Sequence, residues 1–182
     1  DALPISFTSY VNCTDKKIFT YLDTLIYEIE KTIELAKKKE LNLHTIYIGG
    51  GTPSVLNEEQ IETIFNAIKK YYDLSQVKEI TFEAGRPDTI NSEKLICLKN
   101  NFVNRLSINP QTMNDNTLLS IGRKHLGFEV VEKYLLAREI GFQTINMDII
   151  LGLPGEDESD VKNTIEIIAG LNPENITVHS LA

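Results

Sequence analysis

Short apolar runs alternate along this chain with longer stretches whose apolar residues recur every three or four positions, and that alternation restricts the fold more than any other feature. Ile18, Leu22, Leu25, Ile29, Ile33 and Ala36 fall at helical steps between Asp15 and about Lys39, which predicts a helix with one buried stripe. Strands are predicted over residues 45–48, 79–82, 105–108, 144–150 and 175–178, and helices over 58–72, 92–98, 129–140 and 157–171. Largely apolar strands that alternate with amphipathic helices imply a parallel sheet covered by helices, an α/β architecture. The residues themselves leave open whether the sheet closes as a barrel or stays open and doubly wound. Both arrangements put ligands at the C-terminal ends of the strands.

Those ends are polar throughout. The first strand runs into Gly49-Gly50-Gly51-Thr52-Pro53-Ser54, and the second into Glu83-Ala84-Gly85-Arg86-Pro87-Asp88. Asn109-Pro110-Gln111 follows the third, Asn146 and Asp148 lie within the fourth before Gly152-Leu153-Pro154-Gly155, and His179-Ser180 closes the fifth. Consecutive glycines expose backbone with no Cβ in the way and reach positive φ cheaply, so a ligand can sit directly on main chain. The plainer reading is a strand-to-helix turn that needs glycine only for close packing. The run is neither GxxxxGK[ST] nor GxGxxG, and Asn57 with Gln60 reads as a capping pair opening the next helix. One polar strand end is explained by a cap or turn; polar groups at five successive ends point to a common site.

Asp148 and Glu83 sit in or beside apolar runs, where a carboxylate must be paired or hydrogen-bonded. A structural ion pair of Asp148 with Arg105 or Arg123 and a ligand contact are both open on the residues alone. Gly122-Arg123-Lys124-His125 supplies cations that suit a ligand carboxylate or phosphate, the alternative being a solvated basic turn.

Composition sets the outer limits. With 182 residues, 42% hydrophobic and 24% charged, the chain suits one domain with a sizeable core, and a formal net charge of −8 argues against a generic nucleic-acid or anionic-membrane surface. Lys37-Lys38-Lys39 reads as a cationic helix C-terminus. No apolar run reaches membrane-span length and no basic-then-apolar signal pattern is present, so a cytoplasmic setting is expected. The 2 cysteines, Cys13 and Cys97, are far apart with no CxxC partner, which disfavours a disulfide framework or metal clip; Cys97 is expected to face the core. Of the 3 histidines, His44 precedes a strand, His125 lies in a loop with basic neighbours and His179 lies near a strand end.

The motifs GGGTPS, the strand-ending Glu83, RLSINPQT, IGRKH and NMDIILGLPG follow in the order and spacing of radical S-adenosylmethionine enzymes related to oxygen-independent coproporphyrinogen III oxidase. The phrases EAGRPDTI, SINPQTMN and TVHSLA resemble its coproporphyrinogen dehydrogenase branch, and the resemblance runs from about Ser6 to the end. It implies a partial (β/α) barrel with S-adenosylmethionine across the strand ends. Residue by residue, it implies that Gly50, Gly51 and Thr52 meet the methionine moiety and that Glu83 is an acidic ligand contact. Gln111, Arg123 and Asp148 match further contacts with S-adenosylmethionine, and Ala182 matches a backbone contact.

The departure from the family is a missing CxxxCxxC, whose thiolates ligate a [4Fe–4S] cluster. Ile5 stands in the place of the last of these cysteines and Ala2 in that of the middle one. Residues 1–5 match nothing in the family, residues 6–182 read as the core domain without its first strand, and the chain reads as a fragment inactive by itself. The resemblance implies, for the intact protein, a 5′-deoxyadenosyl radical that starts the oxidative decarboxylation of coproporphyrinogen III to protoporphyrinogen IX, with an electron donor for the cluster and neither nucleic-acid nor membrane partner. A heme chaperone-like protein and a cluster-free module binding S-adenosylmethionine or a tetrapyrrole are the alternatives.

Overall fold

The structure, a computed structural model, describes residues 15–181. The expected Cys13, Ile5, Ala2 and Ala182 features lie outside these residues. In chain order the elements are α1 (Asp15–Lys38), β1 (Thr45–Ile48), α2 (Glu58–Lys69), β2 (Glu79–Glu83), α3 (Ser92–Asn100), β3 (Arg105–Gln111), α4 (Asp115–Ser120), α5 (Gly127–Ile140), β4 (Thr144–Leu151), α6 (Glu158–Leu171) and β5 (Asn175–Ser180). The strands form one parallel sheet in the order β1-β2-β3-β4-β5. Sequential order is the arc of a barrel, because a doubly wound sheet reverses direction at a switch point and this sheet has none.

The helix-facing side of the sheet carries the core. Ile80, Phe82, Leu106, Ile108, Ile145, Met147 and Ile149 are buried there against Phe65, Leu95, Leu98, Val130 and Tyr134 from the helices. Burying side chains of this size contributes about 1.5–3 kcal/mol each, offset by conformational entropy. On the other side the same strands present Tyr47, Thr81, Glu83, Arg105, Ser107, Asn109, Asn146, Asp148, Thr177 and His179, so each strand alternates apolar and polar positions. Parallel sheets buried on both faces read as continuous apolar runs. A polar inner face is what a barrel needs to receive a polar ligand.

Helix starts follow local chemistry. Asn57 accepts from the Gln60 N–H at 2.9 Å while Gln60 Oε1 accepts from the Asn57 N–H, closing the capping box expected from sequence. Lys37 and Lys38 occupy the last turn of α1. Differences from the sequence reading are local: α2 stops at Lys69, α5 starts at Gly127, the short α4 was not anticipated, and β3 runs through Asn109-Pro110-Gln111. Proline lacks an N–H, so Pro110 reads as a strand stop; the register shift between Ile108 and Gln111 accommodates it as a bulge.

Candidate functional site at the strand ends

The first strand-end turn is shaped by Glu83. Its Oε2 accepts the Gly50 N–H at 3.0 Å, and its Oε1 accepts the hydroxyl of Tyr47 from the inner face of β1. The Tyr47 ring lies over Gly49: a Cβ on Gly49 would run into that ring and come 2.9 Å from the Glu83 carboxyl carbon. Gly50 and Gly51 then turn the chain at φ 85° and 58°, with open space where their side chains would stand. Glycine is therefore required by close approach at one position and by conformation at the next two. Burial, followed by the Glu83 carboxylate, pushes the Tyr47 hydroxyl up to about 12.

A cavity of about 130 Å³ opens beside this turn, lined by Gly51, Thr52, Pro53, Glu83, Gly85, Arg86, Asn109 and Arg123. Arg123 is half-buried and donates from Nη1 to the Gly85 carbonyl at 3.0 Å, while Lys124 beside it is exposed and His125 is buried. The basic stretch is thus not a solvated turn. Burial, then repulsion from Arg86, lowers the Arg123 pKa, and burial followed by Arg123 does the same for His125. A larger cavity, of about 270 Å³, lies at the opposite mouth among Lys78, Glu79, Lys99, Asn104, Arg105, Gln143 and Thr144, away from the glycine turn.

From Asn109 a hydrogen-bonded chain crosses the inner face. Ser107 Oγ donates to Asn109 Oδ1 at 2.8 Å, and Asn146 Nδ2 donates to Ser107 Oγ at 3.0 Å and to Asp148 Oδ1 at 2.5 Å. Thr177 Oγ1 completes it by donating to Asn146 Oδ1 at 2.9 Å. Asp148 Oδ2 lies 3.7 Å from His179 Nε2, so its partners are Asn146 and His179, and the ion pair considered with Arg105 or Arg123 does not form. Asp148 shares the inner face with Tyr47, by the register of the strands between them, and contributes to its raised pKa.

Gly51, Thr52, Glu83 and Arg123 thus share one cavity, Gly50 joins it through Glu83, and Asp148 connects through the Ser107–Asn146 chain. Gln111 does not line that cavity. It stands opposite Ile149 beyond the bulge, at φ 69°, with its side chain buried and Oε1 without a partner. A left-handed glutamine with an orphaned buried oxygen stores strain and desolvation cost of the kind found at ligand sites. Tyr47, Arg86, Ser107 and Thr177 were not singled out from sequence as site residues. For Tyr47, Ser107 and Thr177 the signal was present as alternate polar positions in strands otherwise apolar, and for Arg86 as a polar residue in the turn that follows β2.

Among the described residues no three His, Cys, Asp or Glu side chains gather as a metal site. Cys97 lies on α3, buried, with its thiol pushed up to about 11 by burial and then by Glu62. No helix among these residues is long and apolar enough to cross a membrane.

Comparison with known proteins agrees with this architecture. The chain is 41% identical over 167 residues to the oxygen-independent coproporphyrinogen-III oxidase-like protein HemZ of Bacillus subtilis (strain 168), covering 91% of this chain and 33% of that protein. It is 40% identical over 162 residues to the heme chaperone HemW of the same organism, covering 88% of this chain and 42% of HemW. Among solved structures, coproporphyrinogen III oxidase (HemN) from Escherichia coli, a radical SAM enzyme, superposes with a TM-score of 0.87 at 28% identity, over 97% of this chain and 40% of HemN. The chain therefore spans well under half the length of these relatives. The superfamily uses S-adenosylmethionine and a [4Fe–4S] cluster; the strand-end residues described here suit the first, and the described residues gather no ligand set for the second. The family model of the radical SAM superfamily matches residues 14–168, and with the strand-end architecture this shows that the chain belongs to that superfamily.

Proposed function

We propose that the strand-end site receives S-adenosylmethionine through Gly50, Gly51, Thr52, Glu83, Gln111, Arg123, Asp148 and Ala182, with residues 6–182 as the core of a longer protein. That protein carries out the oxygen-independent oxidative decarboxylation of coproporphyrinogen III to protoporphyrinogen IX, in the cytoplasm. The observation that carries the reading is that Glu83 and the half-buried Arg123 line one cavity beside an open glycine backbone. A carboxylate and a guanidinium match the ammonium and carboxylate of an amino-acid moiety, and Gly51 lets that moiety lie on main chain. Asp148 and the unpartnered Gln111 oxygen are acceptors suited to ribose hydroxyls. In the family the cluster supplies the radical chemistry; the residues seen here bind, orient and shield its co-substrate.

Calorimetric titration of the full-length protein with S-adenosylmethionine tests the binding site. Arg123→Ala is expected to weaken affinity by about tenfold or more while leaving the melting temperature nearly unchanged, because among the described residues the guanidinium has no carboxylate partner. A large stability loss with unchanged affinity would give Arg123 a structural role. The 40% identity to HemW favours a second reading, a heme chaperone-like protein. Anaerobic turnover of coproporphyrinogen III supports the oxidase; stoichiometric heme binding without turnover supports the chaperone.

A further inference from the structure

We infer that Arg86 is a second binding guanidinium of the strand-end cavity and that, together with Arg123, it holds a ligand carboxylate. The inference rests on the reading of this cavity as the S-adenosylmethionine site. Arg86 and Arg123 line the same cavity, and neither pairs with a carboxylate among the described residues. The one carboxylate in the lining, Glu83, has an oxygen engaged by the Tyr47 hydroxyl and the other by the Gly50 N–H. Asp88, an acid that acts on Arg123, is exposed and forms no ion pair among the described residues. Two like charges in a partly desolvated wall repel each other, and that repulsion acts on Arg123 here. An anion placed between them relieves it.

Arg86 is also held by a built wall. Its carbonyl accepts from Thr89 Oγ1 at 2.7 Å and from the Thr89 N–H at 3.0 Å, and Pro87 follows it in a 3-10 turn. Thr89 Oγ1 lies 2.5 Å from the hydroxyl of Ser54, which is fully buried. The buried Lys94 then donates to the Ser54 carbonyl at 2.6 Å and to the Thr89 carbonyl at 3.0 Å, tying the Arg86 turn to the end of the glycine turn. Two planar guanidinium forks suit a planar anion. With Glu83 in the same lining the formal charge of the wall is +1, which fits a monoanionic carboxylate better than a phosphate dianion.

That carboxylate belongs either to S-adenosylmethionine or to a propionate of the tetrapyrrole, and full-length wild type, Arg86→Gln and Arg86→Lys distinguish the two. Calorimetry with S-adenosylmethionine and its decarboxylated analogue tests the first source. Fluorescence titration with coproporphyrin III and its tetramethyl ester tests the second. For one of the two carboxylate ligands Arg86→Gln is expected to weaken binding on the order of tenfold, Arg86→Lys less, with the analogue lacking the carboxylate unaffected and the melting temperature unchanged. Wild type that binds while Arg86→Gln leaves both carboxylate ligands unaffected overturns this inference and spares the site. Equal loss for acid and analogue also overturns it, since the charge would not be what is read. Wild type that binds neither ligand sinks both the site and the inference.

Discussion

Gly49, Tyr47 and Glu83 constrain one another so tightly that the most exposed member carries the clearest signature. Tyr47 has its ring largely open on the inner face while its hydroxyl is held by Glu83, which in turn fixes the Gly50 N–H. A tyrosine raised to about 12 stays protonated where the unfolded chain ionises near its ordinary 10.0. The sign of the linkage follows: this contribution is fully present below about pH 10 and is lost as pH rises toward 12, because there the unfolded state binds fewer protons. A phenolate absorbance titration of the folded protein should show one tyrosine titrating late, and Tyr47→Phe should remove that step. Persistence of the late step in Tyr47→Phe would assign it elsewhere. Gly49→Ala should disturb the same pair, since its methyl enters the space of the Tyr47 ring; loss of the late step in both variants is the expected result.

Among the elements, α3 does more than cover the sheet, because Lys94 reaches from it to two strand-end turns. A buried lysine without a carboxylate partner is costly, and burial lowers its pKa. Lys94→Met keeps the stem but leaves the Ser54 and Thr89 carbonyls without this donor. Chemical denaturation is expected to show a loss of about 1–3 kcal/mol, with S-adenosylmethionine affinity falling as the turns loosen. Unchanged stability and affinity would show that other donors replace it. The wild-type protein should also gain stability as pH rises between the depressed folded value and the ordinary 10.5, where the unfolded state binds more protons; Lys94→Met should lack that gain. Most elements were legible in the sequence, since helical spacing from Ile18 to Ala36 and the apolar runs at β1, β2 and β4 are strong local signals. What escaped was set by tertiary context. The extension of β3 through Pro110 depends on a bulge, α4 is 6 residues long with no period to read, and burial of His125 depends on the loops around it. The candidate site was legible as polar strand ends. Its pairings were not, because Tyr47 with Glu83 is a contact between neighbouring strands, and Arg86 and Arg123 reach one cavity from separate loops.

At the scale of the whole molecule, the proposed function rests on a division of faces: the helix-facing side of the sheet carries the core, and the inner side is left polar. The sulfur chemistry of the superfamily must then be met by thiolates at the strand-end mouth, where the described residues place none. Cys97 is on the wrong layer, buried beside the Glu58 carbonyl and Glu62, and a thiol pushed up to about 11 is a poor source of thiolate at neutral pH. Cys13, the other cysteine, is a single thiol and cannot replace three closely spaced ones. Residues 1–182 expressed alone and reconstituted anaerobically with iron and sulfide should therefore show neither the visible absorption of a [4Fe–4S] cluster nor 5′-deoxyadenosine formation. Binding of S-adenosylmethionine should survive in weakened form, because the glycine turn, Glu83 and Arg123 do not depend on the cluster for their placement. Stoichiometric cluster formation with turnover in this polypeptide would overturn the assignment of its thiols. In full-length protein carrying CxxxCxxC, failure to bind iron would instead sink the radical-enzyme reading.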